Sequence, residues 1–300
     1  MEALLFALIC LIWGSTWLAI KVGLVGVPPF LGAGLRFLIA TFLVGLVLAA
    51  RGKRFHLTRD DKVCVLSLGL LVFWFDYAAV YWAETRISSG LTAILFSTMP
   101  LMTSLMSAYW MRSETLSPRK VVGILVGVLG TALLFWPDQH LGLEQALGML
   151  AALSGCLCAA INLVMMKKYG NHSDPFVLNF LGMGLGAACL LAMSAALENW
   201  RDATWTRSNV LALFYLSVFG SLIAFSAYYY LIKRMDATVV SLSTLIIPIV
   251  ALALGHVFLD ESVTPIAIAG IITILGGVAI AIVAPAKIPS VAKKSVSGSL

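Results

Sequence analysis

Charge is what this sequence has least of: 11% of its 300 residues are Asp, Glu, Lys or Arg. A soluble domain carries about a quarter, and 61% hydrophobic residues with a mean hydropathy of +0.99 leave nothing to cover a water-facing surface. A soluble enzyme or binding domain is excluded. Cysteine and histidine are sparse too, at five and four. An odd cysteine count forbids complete pairing, and Cys10, Cys156, Cys158 and Cys189 lie inside apolar stretches with Cys64 at the start of another, so free thiols are expected. Cys156 and Cys158 lack the further ligands zinc needs. No HExxH, GxSxG or Walker A sequence occurs, so no metal, no cofactor, no catalytic group and no direct use of ATP are expected. Gly182-Met183-Gly184-Leu185-Gly186 has no strand before it and reads as close helix packing, as do Gly123 and Gly127. The net charge of +6 is scattered and forms no basic domain, so no nucleic-acid partner is expected.

What fills the chain is apolar runs. Ten can be drawn, at 3–23, 30–50, 62–84, 88–111, 118–136, 145–168, 175–198, 208–232, 237–259 and 264–284. Most approach the roughly 20 residues that cross a bilayer core. Helix is the form they must take, because lipid offers no partner to a backbone polar group. Pro28-Pro29, Arg51-Gly52-Lys53-Arg54, Ser117-Pro118, Trp136-Pro137-Asp138, Asp174-Pro175 and Thr264-Pro265 punctuate them, and the loops are too short for a soluble domain. The first run reads as a membrane helix and not as a removable signal peptide, since no Lys or Arg precedes it and no small-residue cleavage site follows. Alternating the sides puts 15 Lys and Arg on one and 4 on the other, with Arg36 inside a helix. By the positive-inside rule both termini are cytoplasmic, the protein is a multi-pass component of the plasma (inner) membrane, and 285–300, with Lys293 and Lys294, forms a cytoplasmic tail.

The chain also repeats itself. Thr85-Arg86 through Ser97-Thr98 and Pro100 matches Lys233-Arg234 through Ser243-Thr244 and Pro248 at an offset of 148. Glu114, Pro118, Gly123 and Gly130 match Glu261, Pro265, Gly270 and Gly277 at 147, and Lys21 and Pro29-Phe30 match Lys167 and Pro175-Phe176 at 146. Five helices per repeat, 1–137 and 144–284, is an odd number, so the second copy enters the membrane inverted. The expected fold class is all-α integral membrane, ten transmembrane helices as two inverted five-helix repeats, an arrangement used by transporters that alternate access.

The string Ile12-Trp13-Gly14-Ser15-Thr16-Trp17, then Pro28-Pro29, Gly34-Leu35-Arg36-Phe37, Ala83-Glu84, Ser89-Gly90, Pro100, and Glu114 with Gly123 and Gly130, resembles the EamA-type branch of the drug/metabolite transporter superfamily. The resemblance covers nearly the whole chain and rests on the order, spacing and duplication of motifs that are each loose alone. It implies ten helices in two inverted repeats and export of small metabolites, commonly amino acids. It does not name the cargo.

Several residues could carry that work. Arg36 lies about 10 Å deep by helical rise, and a charge there faces protein or water rather than lipid. Asp76 and Glu84 of the third span are candidate ion-pair partners; the alternative role for Arg36 is binding a substrate carboxylate or gating. Asp76 is also a candidate carrier of a coupling proton. Tyr77 and Tyr81 correspond to Phe225 and Tyr229 at offset 148, both pairs spaced i, i+4. Inversion would put the first pair in the outer half, where Tyr77 and Tyr81 are candidate substrate contacts, and the second in the inner half, so that the pairs could close outer and inner gates; an interfacial aromatic belt is the alternative. Trp13, Thr16 and Trp17 are candidate substrate contacts, because their counterparts at offset 146 break the symmetry with Ala159 and Leu163; ordinary helix packing is the alternative. Pro100 and Pro248 should kink the fourth and ninth spans, freeing the carbonyls of Phe96 and Thr244. Asn162 and Asn179 are placed to bond each other, and His256 to sit at the interface. The reading is a secondary transporter that exports small organic metabolites such as neutral or aromatic amino acids. A nucleotide-sugar or phosphate-ester carrier is the alternative within transport, and an intramembrane enzyme acting on a lipid-linked substrate is the alternative outside it.

Overall fold

The computed structural model describes residues 1–52, 56–87, 89–111, 117–134, 142–170, 174–259 and 264–283. Lys53, Arg54, Arg112, Glu114, Trp136, Pro137, Asp138, Glu261 and the 285–300 segment lie outside the described residues, as do the side chains of Ser89 and His256. Among the described residues every regular element is a helix: α1 (Glu2–Gly23), α2 (Pro29–Ala50), α3 (Arg59–Glu84), α4 (Ser89–Phe96), α5 (Met99–Trp110), α6 (Pro118–Leu134), α7 (Leu143–Tyr169), α8 (Pro175–Leu197), α9 (Arg207–Ile232), α10 (Ala237–Ser241), α11 (Ser243–Leu259) and α12 (Pro265–Val283), with a 3-10 turn at Trp200–Asp202. Six of them, α1, α2, α3, α7, α8 and α9, are long and apolar enough to cross a membrane. The chain is a multi-pass membrane protein.

Helix starts follow local chemistry. Pro29 and Pro175 open α2 and α8, where a missing N–H costs nothing, and the Asp174 carboxylate accepts from Phe176 N–H at 2.9 Å. Thr58 with Asp61 and Thr206 with Asn209 form reciprocal caps on α3 and α9. The turn after α1 needs a left-handed residue, supplied by Gly26 at φ 77°. The far ends of α3 and α9 are held by lysines. Lys21 Nζ donates to Glu84 O at 3.0 Å, and Lys167 Nζ donates to Ile232 O at 2.8 Å and to Met235 O at 2.7 Å. A cation on the last carbonyls of a helix meets the negative end of its dipole.

Glycine sets the closest packing. α6 lies against α12 backbone to backbone: a Cβ at Gly123 would stand 2.6 Å from Ala281 N, and one at Gly277 would stand 2.5 Å from Gly127 N. α2 runs along α8, where Gly34 admits Leu191. Gly182 and Gly186 receive Leu68 and Phe73 of α3, the packing role expected of that glycine run. α1 packs on α9 and α11, and α7 on α3 and α5.

Three expectations need correction. The fourth and ninth apolar runs are not single helices, because the chain breaks between Phe96 and Met99 and again at Leu242. Pro100 therefore stands in the first turn of α5, where proline is tolerated, while Pro248 does sit inside α11. Asn162 and Asn179 do not bond each other. Asn162 Oδ1 accepts from Ser67 Oγ of α3 at 2.9 Å, and Asn179 Nδ2 donates to Ser226 Oγ of α9 at 3.4 Å, so hydroxyls of the neighbouring helices take the amides.

Candidate functional site

The middles of α3 and α9 are wound as π-helix, over Ser67–Asp76 and Leu216–Ile223. The wider winding puts Ala224 N–H on Phe219 O, five residues back, and beside it the Gly220 carbonyl accepts from side chains. Two of them use it: Trp13 Nε1 donates at 3.3 Å and Arg36 Nη2 at 3.2 Å. A glycine is needed there, since a Cβ would stand 2.9 Å from Thr16 Cγ2 and 3.1 Å from Arg36 Nη2.

Between these helices lies a cavity of about 120 Å³, room for several waters. α1 contributes Trp13, Thr16, Trp17 and Ile20, a stripe at i, i+3, i+4 and i+7. α3 contributes Val72, Asp76, Tyr77 and Val80; α7 gives Ala159 and Asn162; α9 gives Phe225, Tyr228 and Tyr229; α11 gives Ser243, Thr244, Ile247 and Pro248. Ala93, Phe96 and Met99 close it from the break between α4 and α5. Its wall is a net of edge-to-face rings. Trp13 meets Tyr228 at 4.9 Å and Phe225 at 5.3 Å between centroids, and Trp17 meets Phe96 at 5.8 Å.

The candidate residues divide. Trp13, Thr16, Trp17, Asp76, Tyr77, Phe225, Tyr229 and Pro248 come together on the cavity wall. Arg36, Tyr81, Glu84 and Pro100 do not line it. Tyr81 lines a smaller cavity of about 20 Å³ with Trp205 and Asn209. Tyr77 and Phe225, expected in opposite halves of the membrane, meet at 6.3 Å. Each stands just past its π segment.

Arg36 is 1% exposed and is held by neutral groups. Its Nε donates to Ser221 Oγ at 2.9 Å, its Nη2 to Gly220 O and to Tyr77 Oη at 3.4 Å, and its guanidinium lies 4.8 Å from the Tyr77 ring centre. Among the described residues no carboxylate stands within ion-pair distance of it, so the expected pairing with Asp76 or Glu84 is not formed. The Asp76 carboxylate lies against α7 where that helix lines the cavity, in room left by glycine at 155; a Cβ there would stand 2.7 Å from Asp76 Oδ1. Gly155, Gly220, Ser221 and Tyr228 are site residues that sequence reasoning missed. The symmetry break Asp76 to Ala224 at offset 148 was a readable signal for the asymmetry of the two helices; nothing in composition marks a π turn.

A multi-pass helical membrane protein with one central cavity and no catalytic constellation among the described residues has the form of a transporter. The model of the EamA-like transporter family matches residues 1–136 and 146–283, and the chain belongs to that family. It is 32% identical over 258 residues to the uncharacterized inner membrane transporter YedA of Escherichia coli, covering 84% of this chain and 80% of that one. It is 27% identical to the uncharacterized transporter YoaV of Bacillus subtilis, covering 90% and 92%. A probable amino-acid metabolite efflux pump of Salmonella typhimurium is 27% identical, with 92% and 93% covered. A crystal structure at 23% identity superposes with a TM-score of 0.79 over 94% of this chain and 98% of the other, a likeness of fold alone.

Proposed function

We propose that the chain is a secondary transporter of the inner membrane that exports small organic metabolites, neutral or aromatic amino acids among them, by alternating access through the central cavity. The observation that carries this reading is the cavity itself: indole and phenol rings, a few hydroxyls and one carboxylate, with no Lys or Arg among the described lining residues. Rings and a few placed polar groups suit an amphipathic solute of modest size. A phosphate ester calls for convergent cationic donors. The name of the Salmonella relative points the same way.

The mechanism rests on two inverted repeats, 1–137 and 144–284, with both termini cytoplasmic and 285–300 as a tail. Lys21 and Lys167, at offset 146, cap the ends of α3 and α9, and both of those helices are π-wound at their centres, which supports the duplication. Packing supports it too, since α1 lies on α11 as α7 lies on α5. Trp13, Thr16, Trp17 and Tyr77 are the solute contacts in this reading. Phe225 and Tyr229 form the movable wall, with Pro100 and Pro248 at the joints and Tyr81 and Arg36 behind Tyr77. Asp76 is the candidate carrier of a coupling proton. Counterflow in proteoliposomes loaded with a panel of amino acids and nucleotide sugars tests the assignment. Exchange of neutral or aromatic amino acids is expected, and exchange confined to the nucleotide sugars would transfer the chain to the alternative.

A further inference from the structure

The cavity's electrostatics are one-sided. Asp76 is the one carboxylate on its wall, and no Lys, Arg or His joins it there among the described residues. The side chain is 5% exposed, its Oδ1 is buried without a hydrogen-bond partner, and no described cation pairs with it. Leaving a buried carboxylate uncompensated is among the costliest arrangements a protein can adopt. The buried cation Arg36 is engaged elsewhere, by Ser221, the Gly220 carbonyl and Tyr77. On the same cavity wall stand Trp13, Tyr77, Phe225 and Tyr228, with Trp13 at 4.9 Å from Tyr228 and Tyr77 at 6.3 Å from Phe225. The faces of such rings attract cations and repel anions.

Resting on the reading of this cavity as the transported solute's site, we infer that it recognises that solute through an ammonium group held by Asp76, and that it makes no use of a carboxylate. Primary amines, amino-acid amides and amino-acid esters with an apolar or aromatic body are therefore ligands. Carboxylic acids that lack the amine are not. An amino acid binds by its amino end, and its carboxylate is tolerated rather than read.

Three probes with one indole body separate the groups: tryptamine, tryptophanamide and indole-3-propionate, titrated calorimetrically into the purified full-length protein in detergent. Tryptamine and tryptophanamide should bind about tenfold or more tightly than indole-3-propionate, the gain of a desolvated cation–ring and ion-pair contact. Asp76→Asn should abolish that preference at a melting temperature no lower than that of the parent. Gly155→Ala, whose Cβ would displace the Asp76 carboxylate from 2.7 Å, should reduce the preference while keeping the charge. Equal or tighter binding of indole-3-propionate, failure of both amines to bind, or an Asp76→Asn protein that keeps the full preference would overturn the inference. Counterflow of tryptophan run in parallel keeps the two readings apart. If tryptophan exchanges and indole-3-propionate competes as well as tryptamine, transport stands and ammonium recognition falls. If the amines bind but no solute on the panel exchanges, recognition stands and transport falls.

Discussion

α3 and α9 are each 26 residues long, each π-wound at the centre, and each closed at its last carbonyls by a lysine from another helix, Lys21 for α3 and Lys167 for α9. Their centres are put to different uses. α3 brings Asp76 and Tyr77 to the cavity; 148 residues later α9 has Ala224 and Phe225, and turns the Gly220 carbonyl and Ser221 to Arg36. The contrast separates frame from site. Ends that must be held in the same way keep the same residue, whereas centres that face the cavity diverge.

Gly220→Leu should damage this arrangement most. Its side chain would drive into Thr16 and Arg36, and overpacking at such a contact costs about 1–3 kcal/mol. The corresponding change in α3, Val72→Leu, enlarges a residue already on the cavity wall and should cost less than about 1.5 kcal/mol. Thermal unfolding of the two purified variants compares them, and equal losses would remove the special place given to the Gly220 carbonyl.

The lysines come next. Lys21→Met and Lys167→Met should each lower stability by roughly 0.3–1 kcal/mol through the lost charge at a helix end. Their effects should match within experimental error, and a large effect at one and none at the other would break the likeness of the two ends.

The smallest expected effect is a coupling near zero. Because Arg36 is held by neutral groups and Asp76 by none, the stability changes of Arg36→Met and Asp76→Asn should add within about 0.5 kcal/mol. An ion pair would couple them strongly, since removing one charge would strand the other.

Legibility of these features from sequence follows their physics. The membrane class was plain, because 61% apolar residues in separated runs have few other uses. Trp13, Thr16 and Trp17 reached the cavity as their helical spacing implied, and the Lys21–Lys167 correspondence pointed to equivalent positions before their carbonyl partners were known. Counting residues from span ends gave Tyr77 and Phe225 separate depths but not their neighbours; the two rings meet at 6.3 Å, a contact between spans that spacing within one span does not display. Arg36 was read with an acidic partner, or as a contact for a substrate carboxylate or a gate, because charge is what a sequence displays, whereas a backbone carbonyl that accepts from a guanidinium has no sequence mark. Pro100 was read as a kink in a continuous helix, yet the break at Ser97 and Thr98 precedes it and makes it a helix start.

The central claim is that solute is bound by the cavity between α1, α3 and α9, and tryptophan substitution tests it most directly. In proteoliposomes, Trp13→Ala should raise the concentration of amino-acid solute needed for half-maximal counterflow about tenfold, the worth of roughly 1.4 kcal/mol of lost ring contact. Trp110→Ala, at a side chain 44% exposed at the end of α5, should leave it within about twofold. Unchanged half-saturation and rate in Trp13→Ala, at normal expression and melting temperature, would place the binding site elsewhere in the molecule.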